Sequence, residues 1–118
     1  MRRILIVEDD PMVALDLEEI VLGADAQARV ALAASVREAE RALASLEFDA
    51  ALLDIDVLDG KTYEVATRLH ERGTPFAFVS ASRPEELPAP LRNVPFVPKP
   101  YDPADIERTL RARLIGED

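Results

Sequence analysis

The chain has 118 residues, 48% hydrophobic and 31% charged, which suits one globular domain and excludes both a second independent core and a disordered chain. It holds no cysteine and one histidine, His70, so disulfides, thiolate metal sites, cysteine nucleophiles and multi-histidine metal sites are excluded. A formal charge of −9 argues against direct nucleic-acid binding, which needs basic surface, and favours a cation or a basic protein surface as partner.

Only Ile4-Leu5-Ile6-Val7 separates Arg3 from Glu8, too short a run for a signal-peptide core. No apolar run approaches the ~18 residues of a membrane helix, so a cytoplasmic protein without a membrane segment is expected. Arg3–Val7 is a β-branched, continuously apolar run and predicts a strand buried on both faces, as in a parallel sheet. Asp10-Pro11 supplies an N-cap and an N1 proline, and Val13, Leu17, Ile20 and Val21 recur at helical spacing until Gly23 stops the helix. Ala28–Leu32 predicts a second, alanine-rich strand. Ser35-Val36-Arg37-Glu38 is a capping box opening a helix to about Leu46. A third strand over Phe48–Leu53 ends at Asp54. A loop over Asp56–Gly60 and a helix over Thr62–His70 follow, and Gly73-Thr74-Pro75 closes that helix.

Phe76–Val79 predicts a fourth strand. The stretch Arg83–Val94 carries Pro84, Pro88 and Pro90, through which no long helix runs intact. Val94–Val97 predicts a short fifth strand. Asp102-Pro103 starts a last helix that reaches about Ile115, with Gly116 after it. Buried strands alternating with helices define an α/β fold: a doubly wound parallel sheet flanked by helices, with the fourth helix short or absent.

In such a sheet ligands bind outside the carboxyl ends of the strands. Those ends carry Glu8, Asp9 and Asp10, then Asp54, Ser80 and Lys99. Clustered carboxylates repel unless a cation neutralises them, and an all-oxygen, incomplete cage suits Mg2+. Lys99, one of two lysines beside Lys61, adds a point charge and Ser80 a hydroxyl. Both suit a phosphoryl group carried on a carboxylate, with Asp54 as nucleophile and Mg2+ offsetting the charge.

The motifs Ile4–Asp10, Leu52-Leu53-Asp54, Val79-Ser80-Ala81 and Pro98-Lys99-Pro100, in order at the strand ends, resemble those of the receiver domain of two-component response regulators. The resemblance spans residues 1–118 as one receiver domain. It implies a flavodoxin-like five-stranded parallel sheet in the order 2-1-3-4-5. It also implies Asp54 as phosphoacceptor, Glu8 and Asp9 as the acidic pair at the metal with Asp54 and the backbone carbonyl of Asp56, and Ser80 and Lys99 as the groups that meet the phosphoryl group. Phe96 falls at the switch aromatic, and Lys99-Pro100 where a cis bond is frequent. The implied function is acceptance of a phosphoryl group from a sensor histidine kinase or phosphotransfer protein, Mg2+-dependent, followed by a conformational switch, without turnover as an enzyme. Homodimerisation is left open.

Two departures stand out. The loop Asp54–Gly60 lacks the family's Met-Pro pair and is shorter. Its Asp56 puts a carboxylate where Asn is frequent, predicting repulsion of a phospho-aspartate and altered autodephosphorylation. The proline-rich Ser82–Asn93 stretch predicts a reshaped output face. Both departures resemble a subgroup of stand-alone receivers paired with atypical histidine kinases. The Met1 start and the polar Gly116-Glu117-Asp118 end fit a single-domain protein. Two alternatives stay open: a haloacid-dehalogenase-like phosphatase fragment, suggested by Leu52-Leu53-Asp54-Ile55-Asp56-Val57, and a pseudo-receiver that binds partners without accepting phosphate.

Overall fold

Five parallel strands form the central sheet: β1 (Arg3–Val7), β2 (Arg29–Ala33), β3 (Ala50–Leu53), β6 (Phe76–Ser80) and β7 (Phe96–Pro98), in the spatial order β2-β1-β3-β6-β7. Numbered as sheet strands alone, this is 2-1-3-4-5. The computed structural model describes residues 2–116; Met1, Glu117 and Asp118, read above as a start and part of a polar end, lie outside the described residues. Helices α1 (Pro11–Ala24), α2 (Val36–Ser45), α3 (Tyr63–Glu71) and α4 (Pro103–Thr109) flank the sheet. Among the described residues no helix is long and apolar enough to cross a membrane.

The period-two alternation of strands divides the core into two layers. Leu5, Val7, Ala51, Leu53, Phe76 and Phe78 face α2 and α3, packing with Leu43, Val65 and Leu69. Ile4, Ile6, Ala50, Leu52, Ala77 and Val79 point the other way, onto Leu17 and Val21 of α1 and Ile106 of α4. The three inner strands are therefore apolar over Ile4–Val7, Ala50–Leu53 and Phe76–Val79, as both faces are covered, with Arg3 and Ser80 only at strand ends.

Capping signals act where the sequence places them. The Asp10 carboxylate accepts from the Met12 amide at 2.9 Å, Ser35 Oγ from the Glu38 amide at 3.0 Å, and the Asp102 carboxylate from the Ala104 amide at 2.9 Å. Gly73, at φ 73°, ends α3: its own amide donates to the His70 carbonyl and that of Thr74 to Leu69.

Several boundaries differ from the sequence expectation. Gly23 lies inside α1 and has no left-handed backbone; the chain leaves the helix at Asp25, in an extended conformation. The edge strand β2 is displaced by one residue, because its register is set by pairing with β1. β3 begins at Ala50 and β7 at Phe96. Residues 56–61 are not a plain loop but a two-stranded antiparallel ribbon, β4 (Asp56–Val57) and β5 (Gly60–Lys61). The proline-rich crossover holds two 3-10 turns, Pro84–Glu86 and Ala89–Leu91, that bury Leu87 and Leu91 where a helix would otherwise cover the sheet. The last helix runs as α4 to Thr109 and finishes in a π turn over Leu110–Leu114.

Candidate functional site

Glu8, Asp54 and Lys99 each stand one residue beyond a strand, and each is held there by one more backbone bond in the ladder. The Glu8 amide donates to Ala33 at 2.9 Å, the Asp54 amide to Val7 at 2.8 Å and the Lys99 amide to Ser80 at 2.9 Å. The site thus inherits the rigidity of the sheet.

These bonds bring three residues that lie up to 91 positions apart into one ion-pair cluster. Lys99 Nζ sits 2.5 Å from Glu8 Oε1 and 3.0 Å from Asp54 Oδ2. Oxygen atoms of Glu8, Asp9 and Asp54 all lie within 4.8 Å of one another. The Glu8 side chain is buried, and its second oxygen accepts from the Asp10 amide at 3.1 Å. Burial pushes its carboxyl above the usual carboxylate range, against the pull of Lys99 and the Asp10 amide. Burial would lower the Lys99 ammonium, but its bonds to Glu8 and Asp54 outweigh that and hold it raised. Lys99-Pro100 is cis, as the family resemblance implies.

Asp54 is fixed from three sides. Its Oδ1 accepts from the Ile55 amide at 2.7 Å, its Oδ2 meets Lys99, and its backbone carbonyl accepts from the buried Thr62 hydroxyl at 2.6 Å. Ser80, at the end of β6, is buried, and its hydroxyl oxygen accepts from the Ser82 amide at 3.3 Å. Phe96 is half-buried beside Phe78, with ring centroids 6.3 Å apart.

The exposed Asp56 side chain is not a bare second charge. Lys61 Nζ stands 2.5 Å from its Oδ1, and the Ser82 hydroxyl donates to its Oδ2 at 2.9 Å. The Lys61 bond, and then the Ser82 bond, hold its carboxyl below the usual range. The Asp56 charge therefore has a cationic partner within the ribbon.

Sequence reading passed over five residues at or near this site. Thr62, Lys61 and Ser82 carry no motif of their own. Asp59 lies in the stretch that the sequence reads as a loop, yet its carboxylate crosses to α2 and accepts from the Val36 and Arg37 amides at 2.6 and 3.1 Å. Tyr101, just after the cis bond, donates its hydroxyl to Asp16 on α1; burial first, then that bond, raises its phenol above the usual range.

Residues 4–111 match the response regulator receiver domain family, and the chain belongs to that family. Among solved structures it is similar to the non-phosphorylated HemR receiver domain from Leptospira biflexa, at 28% identity and TM-score 0.78, over 94% of this chain and 92% of that one. It is similar also to the PhyR REC domain of Erythrobacter litoralis, at 27% identity and TM-score 0.77, over 93% and 87%. The response regulator PhyR from Brucella abortus is 30% identical at TM-score 0.77; the match covers 96% of this chain but 47% of that longer one. No curated protein matches the chain significantly. The family favours the receiver reading over the phosphatase alternative.

Proposed function

We propose that this receiver domain, spanning residues 1–118, accepts a phosphoryl group on Asp54 from a phosphohistidine of a sensor histidine kinase or phosphotransfer protein. The observation that carries the reading is Lys99 bridging Glu8 and Asp54 at 2.5 and 3.0 Å, inside a cluster of three carboxylates at the strand ends. A carboxylate oxygen of Asp54 attacks phosphorus; the P–N bond to the donor imidazole breaks, and an acyl phosphate forms.

Glu8, Asp9 and Asp54, with the Asp56 carbonyl, are the residues that would hold Mg2+. Their all-oxygen donor set fits a hard cation that keeps waters and accepts phosphate oxygens. When bound, the ion supplies charge neutralisation at the transferring group. Lys99 supplies a fixed positive charge beside Asp54, and Ser80 a hydroxyl at the end of β6. The loops answer to the phosphoryl group through these two residues, with Phe96 as the aromatic that repacks against Phe78. The chain acts as a cytoplasmic signalling switch and not as a turnover enzyme.

The test is incubation with acetyl phosphate, with and without Mg2+, followed by intact-mass and peptide analysis. A Mg2+-dependent gain of one phosphoryl group on the peptide carrying Asp54, lost in Asp54→Asn, is the expected result. Labelling that survives in Asp54→Asn would place the acceptor elsewhere. A wild-type protein that neither binds Mg2+ nor takes label would instead be a pseudo-receiver.

A further inference from the structure

The loop after β6 is held by groups that the phosphoacceptor chemistry does not use. The Ser82 hydroxyl donates to Asp56 Oδ2 at 2.9 Å, while Lys61 Nζ, at 2.5 Å, holds the other oxygen of the same carboxylate. Asp56 and Lys61 are register partners across the β4–β5 ribbon, so the carboxylate is presented from a paired backbone. That ribbon is itself fastened: Asp59 caps α2, and Thr62 ties the next residue to the backbone of Asp54. At the other end, the Ser80 carbonyl is fixed by the Lys99 amide at 2.9 Å, and the Ser80 hydroxyl oxygen is occupied by the Ser82 amide at 3.3 Å. The strand end is therefore held by the sheet, and a turn of the Ser80 hydroxyl away from the Ser82 amide has to break a bond to the segment Ala81-Ser82. Its exit is restrained by Ser82.

We propose that Ser82, Asp56 and Lys61 form a latch that holds the β6 loop in its resting arrangement and opposes the turn of Ser80 toward a phosphoryl group on Asp54. The proposal rests on the assignment of Asp54 as acceptor and adds a regulatory contact to that site. Lys61 acts as a positioning residue, aiming Asp56 at Ser82. The two ionic side chains are about half exposed, so the latch is weak, in the range of a single solvent-screened bond. A two-state loop biased by that amount shifts its population by about three- to tenfold.

Two readouts separate the latch from the acceptor assignment. Hydrogen–deuterium exchange of residues 81–83, measured without any donor, is expected to be about three- to tenfold faster in Ser82→Ala, with Ser82→Thr near wild type because it keeps the hydroxyl. The initial rate of labelling by acetyl phosphate with Mg2+ is expected to rise about threefold in Ser82→Ala. In an Asp56→Asn background, which weakens the acceptor, both effects of Ser82→Ala shrink. Unchanged exchange in Ser82→Ala, slower labelling, or an effect of full size in the Asp56→Asn background would overturn the latch. If wild type takes no label at Asp54, the acceptor assignment falls and the exchange measurement alone decides whether the latch exists.

Discussion

Lys99 is the residue on which the electrostatics of the site turns. It is one cation against three carboxylates, and Glu8 beneath it is buried. Removing the ammonium leaves Glu8 and Asp54 as close like charges, and a buried carboxylate without its partner is costly. Lys99→Met is expected to destabilise the fold by about 2 kcal/mol at pH 7, since Lys99 retains some solvent contact and the full penalty of a sealed pair does not apply. The pH dependence has a definite sign. Glu8 already titrates above the usual carboxylate range, and losing Lys99 moves it further up. The folded variant then binds a proton that the unfolded chain has released. Its stability falls as pH rises through that window, and the deficit shrinks below about pH 4, where the carboxyl is protonated in both states. Urea melts of both proteins at pH 7 and pH 4 measure this; a deficit that is equal at both would show that Lys99 stabilises by packing alone. Under the proposed function, labelling of Lys99→Ala by acetyl phosphate should persist in part while the loop response weakens, because there the lysine would pair with the phosphoryl group without carrying it.

At the scale of elements, the β4–β5 ribbon is where the structure departs most from the sequence expectation. It replaces a free loop with a paired one and carries Asp59 to the N-terminus of α2, where two unpaired amides and the positive end of the helix dipole meet a carboxylate. The Val36 amide bond holds the Asp59 carboxyl below its ordinary range. A lowered carboxylate contributes stability that is present above its unfolded pKa and is lost as pH falls through its folded value. Asp59→Ala is therefore expected to lower Tm at pH 7, with the difference from wild type closing as pH drops below about 4. Thermal melts across pH 3–7 check it. The same variant should speed amide exchange at Val36 and Arg37. The neighbouring crossover shows the opposite economy of structure. Pro84, Pro88 and Pro90 forbid a helix, and two 3-10 turns still place Leu87 and Leu91 on the sheet, so the core is closed without the helix.

At the scale of the whole molecule, the two core layers meet through β3 and β6, and Phe78 stands at the centre of one of them. It is fully buried, edge-on to Phe76 with centroids 5.7 Å apart, and tilted against Phe96. Phe78→Ala is expected to cost about 3–5 kcal/mol in chemical denaturation, since it removes a fully buried ring and leaves a cavity among its neighbours. A loss under about 1 kcal/mol would mean that the crossover collapses into the cavity. Phe96, on the edge strand β7, packs against this same core beside Leu87 and Leu91 of the proline-rich crossover.

Much of this architecture was legible in the sequence, because its strongest signals are local. Continuous apolar runs announce strands covered on both faces, and Asp10-Pro11, Ser35–Glu38 and Asp102-Pro103 announce helix starts through bonds that span two or three residues. The strand-end positions of Glu8, Asp9, Asp54, Ser80 and Lys99 followed from the same runs. Tertiary structure decided what depends on partners distant in the chain. The register of β2 comes from β1, not from its own alanine-rich segment. The ribbon at residues 56–61 pairs Asp56 with Lys61 and Val57 with Gly60, and the Asp59 carboxylate between its strands is anchored on α2. The Lys99–Glu8–Asp54 cluster, the Thr62 bond to Asp54 and the Ser82–Asp56 contact join residues from 8 to 91 positions apart, and no local pattern encodes such pairings. Short-range sterics and backbone bonding are written residue by residue, whereas charge pairing across the strand ends appears only once the sheet has brought those ends together.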